Sequence, residues 1–289
     1  METFDIRGPL PTGTTLLEAS AGTGKTWTIA ALVTRYLAEG VATLEEMLVV
    51  TFTRAASQEL RDRVRRQLDG AAAVLADPAG ADPDNTLHEW LLDADDAERA
   101  ARLGRLTDAL TSYDAATIAT IHQFCQLVLR SLGVAGDTDT GAVLVEDLEQ
   151  LTSEVVDDRY LQLFARRDKA PWTREEALAF AREVVNDPRA QVAPQEALVE
   201  DPDGDAAARV RFAGEVLDEI DRRKRRLGVL SYDDLLGQLA DALADDDAPA
   251  RARMRRRWKV ALIDEFQDTD PVQWQVFERA FHGLSLIHI

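Results

Sequence analysis

One stretch constrains this chain more than any other: Ala19-Ser-Ala-Gly-Thr-Gly-Lys-Thr26, set directly behind the short apolar run Thr15–Glu18 (TLLE). Small side chains let a backbone turn tightly, so that successive N–H groups from Ala21 to Thr26 can face one anion. Behind the turn, Ile29, Leu32, Val33, Tyr36 and Leu37 recur at i, i+3, i+4, i+7 and i+8. That is the stripe of a helix packed on a sheet, and its N-terminal dipole points at the same anion. The spacing follows G-x-x-x-x-G-K-[ST] with Ala19 in place of the first glycine. In such a loop Ser20, Ala21, Gly22, Thr23, Gly24, Lys25 and Thr26 would cradle a nucleoside triphosphate. Lys25 would reach its β- and γ-phosphates, and the Thr26 hydroxyl would ligate Mg²⁺. ATP and Mg²⁺ are the expected cofactors. The bland alternative is a small-residue strand-to-helix turn with an incidental lysine, and the strand–loop–helix setting argues against it.

Three further apolar runs read as strands: Met47–Thr51 (MLVVT), Thr117–Ile121 (TIATI) and Val260–Ile263 (VALI). Leu60, Val64 and Leu68 predict a helix after the second strand. Strands alternating with helices predict an α/β fold with a parallel sheet. A nucleotide site of this kind needs a second acidic group at the end of a neighbouring strand. The segment Lys259-Val-Ala-Leu-Ile-Asp-Glu-Phe-Gln-Asp-Thr-Asp270 supplies it. Asp264 falls at the strand terminus, where a carboxylate holds Mg²⁺ directly or through water. Glu265 is placed to orient or deprotonate the attacking water, and Gln267 to sense the γ-phosphate. An acidic, solvated loop after a buried strand is the alternative.

Composition enters here because it conflicts with one class of partner. The 289 residues carry 33 basic and 52 acidic side chains, a net charge of −19, which argues against a phosphate backbone if the charge is spread evenly. It is not. Residues 69–115 hold 3 basic and 11 acidic residues, net −8, and residues 136–225 hold 13 and 22, net −9. Residues 1–68 hold 8 of each and are neutral. Both acidic stretches carry periodic Leu, Ala and Val, and are expected to be amphipathic helical insertions with a solvated outer face. The runs Asp245–Asp247 and Arg255–Arg257 read as solvated loop and helix face. A single cysteine excludes a disulfide scaffold and a cysteine zinc site. With no leader-like N-terminus and no long apolar span, a cytoplasmic protein is expected.

Two loops carry a further expectation. Val49-Val-Thr-Phe-Thr-Arg-Ala-Ala-Ser-Gln-Glu-Leu60 and Thr120-Ile-His-Gln-Phe-Cys-Gln126 each put an aromatic ring and polar donors at a sheet end. Phe52 and Phe124 are candidates to stack on bases, and Thr53, Arg54 and His122 to meet phosphates. Each also has a bland reading, the phenylalanines as core and the histidine as a buried hydrogen-bonding group.

In order, these four segments resemble motifs I, Ia, Ib and II of the UvrD/Rep-like superfamily 1 DNA helicases. Within them, Glu18-Ala-Ser20, the Phe-Cys-Gln after His122 and Ser231-Tyr-Asp-Asp-Leu-Leu236 are similar to the RecB-like subfamily, the beta subunits of exodeoxyribonuclease V. The resemblance implies a RecA-like motor domain 1A over residues 1–135 and 226–289, interrupted by a helical 1B subdomain over 136–225. It implies ATP-driven translocation on single-stranded DNA and unwinding from duplex ends in double-strand-break repair, beside RecC- and RecD-like subunits. Lys25, Thr26, Asp264, Glu265 and Gln267 would then carry ATP hydrolysis, and Phe52, Thr53, Arg54, His122 and Phe124 the strand contacts. Departures are visible. Leu10–Leu17 lacks the glutamine that reads adenine in this family, and the sequence stops before a motif III. The final Leu284-Ser-Leu-Ile-His-Ile289 is strand-like but unmatched, and reads as a truncated or foreign end. On these grounds the 289 residues alone are not expected to be a competent helicase. A UvrD- or AddA-type helicase and a non-catalytic interaction segment are the alternatives.

Overall fold

The computed structural model describes residues 4–18, 24–132, 143–145, 147–165, 170–186 and 192–289. Strands among them are β1 (Thr14–Leu16), β2 (Met47–Thr51), β3 (Thr117–Thr120), β4 (Val143–Leu144), β5 (Val229–Leu230), β6 (Val260–Ile263) and β7 (Ser285–His288). Five of these form one parallel sheet in the order β1-β7-β6-β2-β3. Every residue of β2, β3 and β6 is buried. That is why MLVVT and VALI are continuous apolar runs and not alternating ones: a parallel sheet is covered on both faces.

The helices are α1 (Lys25–Ala38), α2 (Arg54–Ala76), α3 (Thr86–Leu92), α4 (Asp96–Thr111), α5 (Ile121–Leu132), α6 (Glu149–Phe164), α7 (Arg174–Asn186), α8 (Ala197–Glu200), α9 (Asp205–Leu227), α10 (Tyr232–Ala242), α11 (Pro249–Arg257) and α12 (Pro271–Phe281). Both expected stripes are buried: Ile29, Leu32, Val33, Tyr36 and Leu37 of α1, and Leu60, Val64 and Leu68 of α2. They share one core with Val49 and Leu262 of the sheet. Leu87, Leu91 and Leu106 of α3 and α4 join the same core. The first acidic stretch is therefore part of this packing; none of its acidic side chains is buried, while Arg102 is, donating to the Trp90 and Leu91 carbonyls.

The chain divides into two compact units, one of Met1–Gly136 with Leu236–Ile289, the other of Asp137–Leu235. The second unit has its own core of Val155, Val156, Phe164, Trp172, Phe212, Val216 and Ile220, with edge-on rings such as Phe164–Trp172 at 5.4 Å. Its far limit falls ten residues beyond the boundary expected at residue 225. Helix α9 runs on to Leu227, β5 pairs with β4, and Lys224 donates to Asp234 at 2.8 Å. These contacts keep residues 226–235 with the second unit.

The arginine run of α11 is used more than its solvated reading implies. Arg251 donates to the Leu243 carbonyl at 2.8 Å and Arg255 to the Ala280 carbonyl at 2.9 Å, capping the C-terminal ends of α10 and α12. Arg257 lies over the Trp258 ring at 4.8 Å.

Candidate nucleotide and strand-contact site

Parallel strands end on one side of a sheet, and loops from those ends meet there. Leu16 ends β1, and Lys25 opens α1. Thr51 of β2 leads to Phe52, Thr120 of β3 to His122, and Ile263 of β6 to Asp264. Register puts Val50 beside Ile263 and Thr51 beside Thr120, so these termini are level.

Gly24 takes φ 90°, a left-handed conformation that a side chain would strain, and the next residue, Lys25, opens α1. The first turn of α1 has no acidic residue and its cap makes no side-chain hydrogen bond. Its N–H groups and dipole therefore suit an anion. Ser20, Ala21, Gly22 and Thr23 lie outside the described residues. Thr26 is half-buried in the first turn of α1.

The Lys25 ammonium donates to Glu265 Oε2 at 3.0 Å. Gln267 donates its side-chain amide to the same oxygen. Glu265 is the one non-glycine with positive φ among the described residues, at 55°. Holding a side chain there costs on the order of 1–3 kcal/mol. The Lys25 ammonium and the Gln267 amide keep the Glu265 carboxyl below the usual carboxylate range.

Beside it, Asp264 is 9% exposed, and burial followed by the Glu265 charge pushes its carboxyl up. Its Oδ1 accepts the Glu265 N–H at 3.0 Å and its Oδ2 the Thr51 hydroxyl at 3.4 Å. Nothing in the sequence singles out Thr51, which reads there as the last residue of an apolar strand. Only the register of β2 against β6 brings it to Asp264. No cluster of three His, Cys, Asp or Glu occurs among the described residues. One buried carboxylate, Asp264, at this sheet end fits Mg²⁺, which takes one or two protein carboxylates and completes its shell with phosphate and water.

On the β2 and β3 side, Phe52 is half-buried and Thr53 and Arg54 are exposed. Thr53 caps α2, its hydroxyl accepting the Ala56 N–H at 3.0 Å. His122 is half-buried in the first turn of α5. Burial lowers its pKa, and the Asp270 carboxylate opposes that shift.

Phe124 requires a correction. It is fully buried, with its ring 5.6 Å from those of Phe277 and Trp258. It sits on the stripe Ile121, Phe124, Cys125, Val128, Leu129, Leu132 of α5, a 3.6-residue period visible in the sequence. In this position it packs the core and offers no face to a base.

The sequence profile of the UvrD/REP helicase N-terminal domain matches residues 6–289. The chain belongs to that family.

Among curated relatives of this helicase family, the chain is 57% identical to the RecBCD enzyme subunit RecB of Mycolicibacterium smegmatis, over 99% of its own length and 26% of that protein's. It is 30% identical to the RecBCD enzyme subunit RecB of Escherichia coli, over 97% of this chain and 34% of that one. The RecBCD enzyme subunit RecB of Haemophilus influenzae is 32% identical across 59% of this chain and 14% of its own. The chain thus spans about a quarter of the length of the mycobacterial relatives. The UvrD/REP-family resemblance of the motifs is borne out, as is the α/β class with its parallel sheet. No helix among the described residues is long and apolar enough to cross a membrane.

Proposed function

We propose that this chain is the nucleotide-binding part of the motor of an ATP-dependent, RecB-like DNA helicase and exonuclease subunit. The carrying observation is the contact of Lys25 with Glu265 beside Asp264, at the end of the sheet where the phosphate loop emerges. Supporting it are the family match over nearly the whole chain and the identity to RecB subunits over 99% of it.

In this proposal Lys25, with the loop from Ser20 to Thr26, holds the triphosphate, and Thr26 and Asp264 hold Mg²⁺. The ion supplies charge for the phosphoryl oxygens. Lys25 is tied to Glu265 when no phosphate competes for it. Phosphate would draw the ammonium away and leave Glu265, with Gln267, facing the attacking water. The residues of the first unit form domain 1A, and the helical second unit forms 1B. Phe52, Thr53, Arg54 and His122 meet single-stranded DNA, entered from a duplex end. RecC- and RecD-like subunits are the partners, the cytoplasm is the compartment, and break repair is the setting. A partner domain must supply the transition-state arginine, worth about 10³–10⁵ in rate in such enzymes. The 289 residues alone are therefore expected to bind nucleotide, turn it over slowly and unwind nothing.

The strand half of the proposal is tested with fluorescent oligothymidylate and a salt titration. Arg54→Ala should weaken binding several-fold and flatten the log–log salt slope by about 0.7, the loss of one phosphate contact to a single strand. Equal affinity and slope in wild type and variant would remove Arg54 from the strand path.

A further inference from the structure

A buried carboxylate that must meet a cation needs its orientation fixed by donors around it. Asp264 has one on each oxygen. The Glu265 N–H on Oδ1 is a backbone group, present wherever this turn forms. The Thr51 hydroxyl on Oδ2 is different, because it is a choice of side chain on another strand. Thr51 is 1% exposed at the end of β2, in a strand otherwise made of Met, Leu and Val. Valine would fill the same space with the same β-branched shape. A hydroxyl there carries a desolvation cost that only a hydrogen bond offsets, and its bond among the described residues goes to Asp264.

Thr51 is also the residue directly before Phe52, Thr53 and Arg54. Its 3.4 Å bond to Asp264 is longer than the usual O–H···O separation of about 2.7–2.8 Å. A shift of a few tenths of an ångström at the end of β2 would tighten or break it. Resting on the nucleotide assignment above, we infer that Thr51 is a positioning residue for the metal-ligating Asp264. Through it, the loop Phe52–Arg54 and the metal site act on each other. A DNA strand engaging that loop moves the hydroxyl, and the hydroxyl sets the carboxylate.

The test is a titration of Mg²⁺ against binding of a fluorescent ATP analogue, in the wild-type chain, Thr51→Val and Thr51→Ser. Thr51→Val should raise the Mg²⁺ midpoint about three- to tenfold while leaving metal-free nucleotide binding and the thermal midpoint unchanged, and Thr51→Ser should restore it. Oligothymidylate should shift the midpoint in wild type and in Thr51→Ser but not in Thr51→Val. An unchanged midpoint in Thr51→Val would overturn the positioning role. A Thr51→Ser variant as impaired as Thr51→Val would mean that the methyl group and packing matter, and would overturn it too. If oligothymidylate has no effect in wild type, the link to the loop falls. Absence of any Mg²⁺-dependent binding in wild type would remove the nucleotide assignment itself, and this inference with it.

Discussion

Asp264 and Glu265 are adjacent carboxylates with opposite shifts, and the difference is environmental. Glu265 has the Lys25 ammonium 3.0 Å away, while Asp264 is buried beside a like charge. A carboxyl raised in the folded state binds its proton more tightly there than in the unfolded chain. Stability then falls as pH rises from the ordinary carboxylate range through the raised value, and at neutral pH the Asp264 charge is a burden. Asp264→Asn keeps an oxygen for the Glu265 N–H, turns its amide N–H toward the Thr51 hydroxyl oxygen, which can accept it, and removes that charge. We expect it to leave the thermal midpoint at pH 7 unchanged or higher by about 1–4 °C, as up to about 1 kcal/mol would do, and to abolish Mg²⁺-dependent nucleotide binding. A scanning fluorimetry midpoint several degrees lower would contradict the assignment of burial as the dominant cause. This exchange of stability for a ligand site is common where charge is needed in a protected place.

At the scale of elements, α5 separates what periodicity reveals from what motif position suggests. His122 and Phe124 stand two residues apart in TIHQFCQ, and the motif groups them. The helix does not: two residues advance about 200°, so Phe124 lies on the buried stripe and His122, half-buried, lies off it. Counting the stripe through Leu132 places Phe124 inside from sequence alone. Cys125, next on that stripe, is buried, and burial pushes its thiol up to about 12. Folded chain should therefore resist a thiol-reactive disulfide reagent at pH 8. Phe124→Ala should cost about 3–5 kcal/mol and open Cys125 to the reagent, as read by chemical denaturation and thiol release. Rapid labelling of native wild-type Cys125 would contradict this packing. The two-residue strands β4 and β5 leave no trace in the sequence because so short a run has no period to detect. Strand β1 starts a residue ahead of the apolar run TLLE, because its edge is set by pairing with β7 and not by side-chain character.

For the whole molecule, the net charge of −19 is compatible with a polyanion partner because of how it is distributed. The acidic faces of α3 and α4 lie outside a shared apolar core, and a second acidic stretch forms its own unit. The sheet-end loops that bear Lys25 and Arg54 belong to the neutral first 68 residues. The proposed nucleotide site is legible in the sequence because short contiguous motifs carry its residues. Thr51 is not, because its role depends on which strands are neighbours, and the order β1-β7-β6-β2-β3 follows from packing of the complete sheet. The central claim is that Lys25, at the head of α1, holds a triphosphate with Mg²⁺. Equilibrium titration of a slowly hydrolysed ATP analogue, with and without Mg²⁺, tests it in wild type and Lys25→Ala. We predict saturable, Mg²⁺-dependent binding in wild type and at least about tenfold weaker binding in the variant, the loss of a charge-assisted contact of about 1.4 kcal/mol or more. Equal affinity in the two proteins, or no binding by wild type, would contradict it.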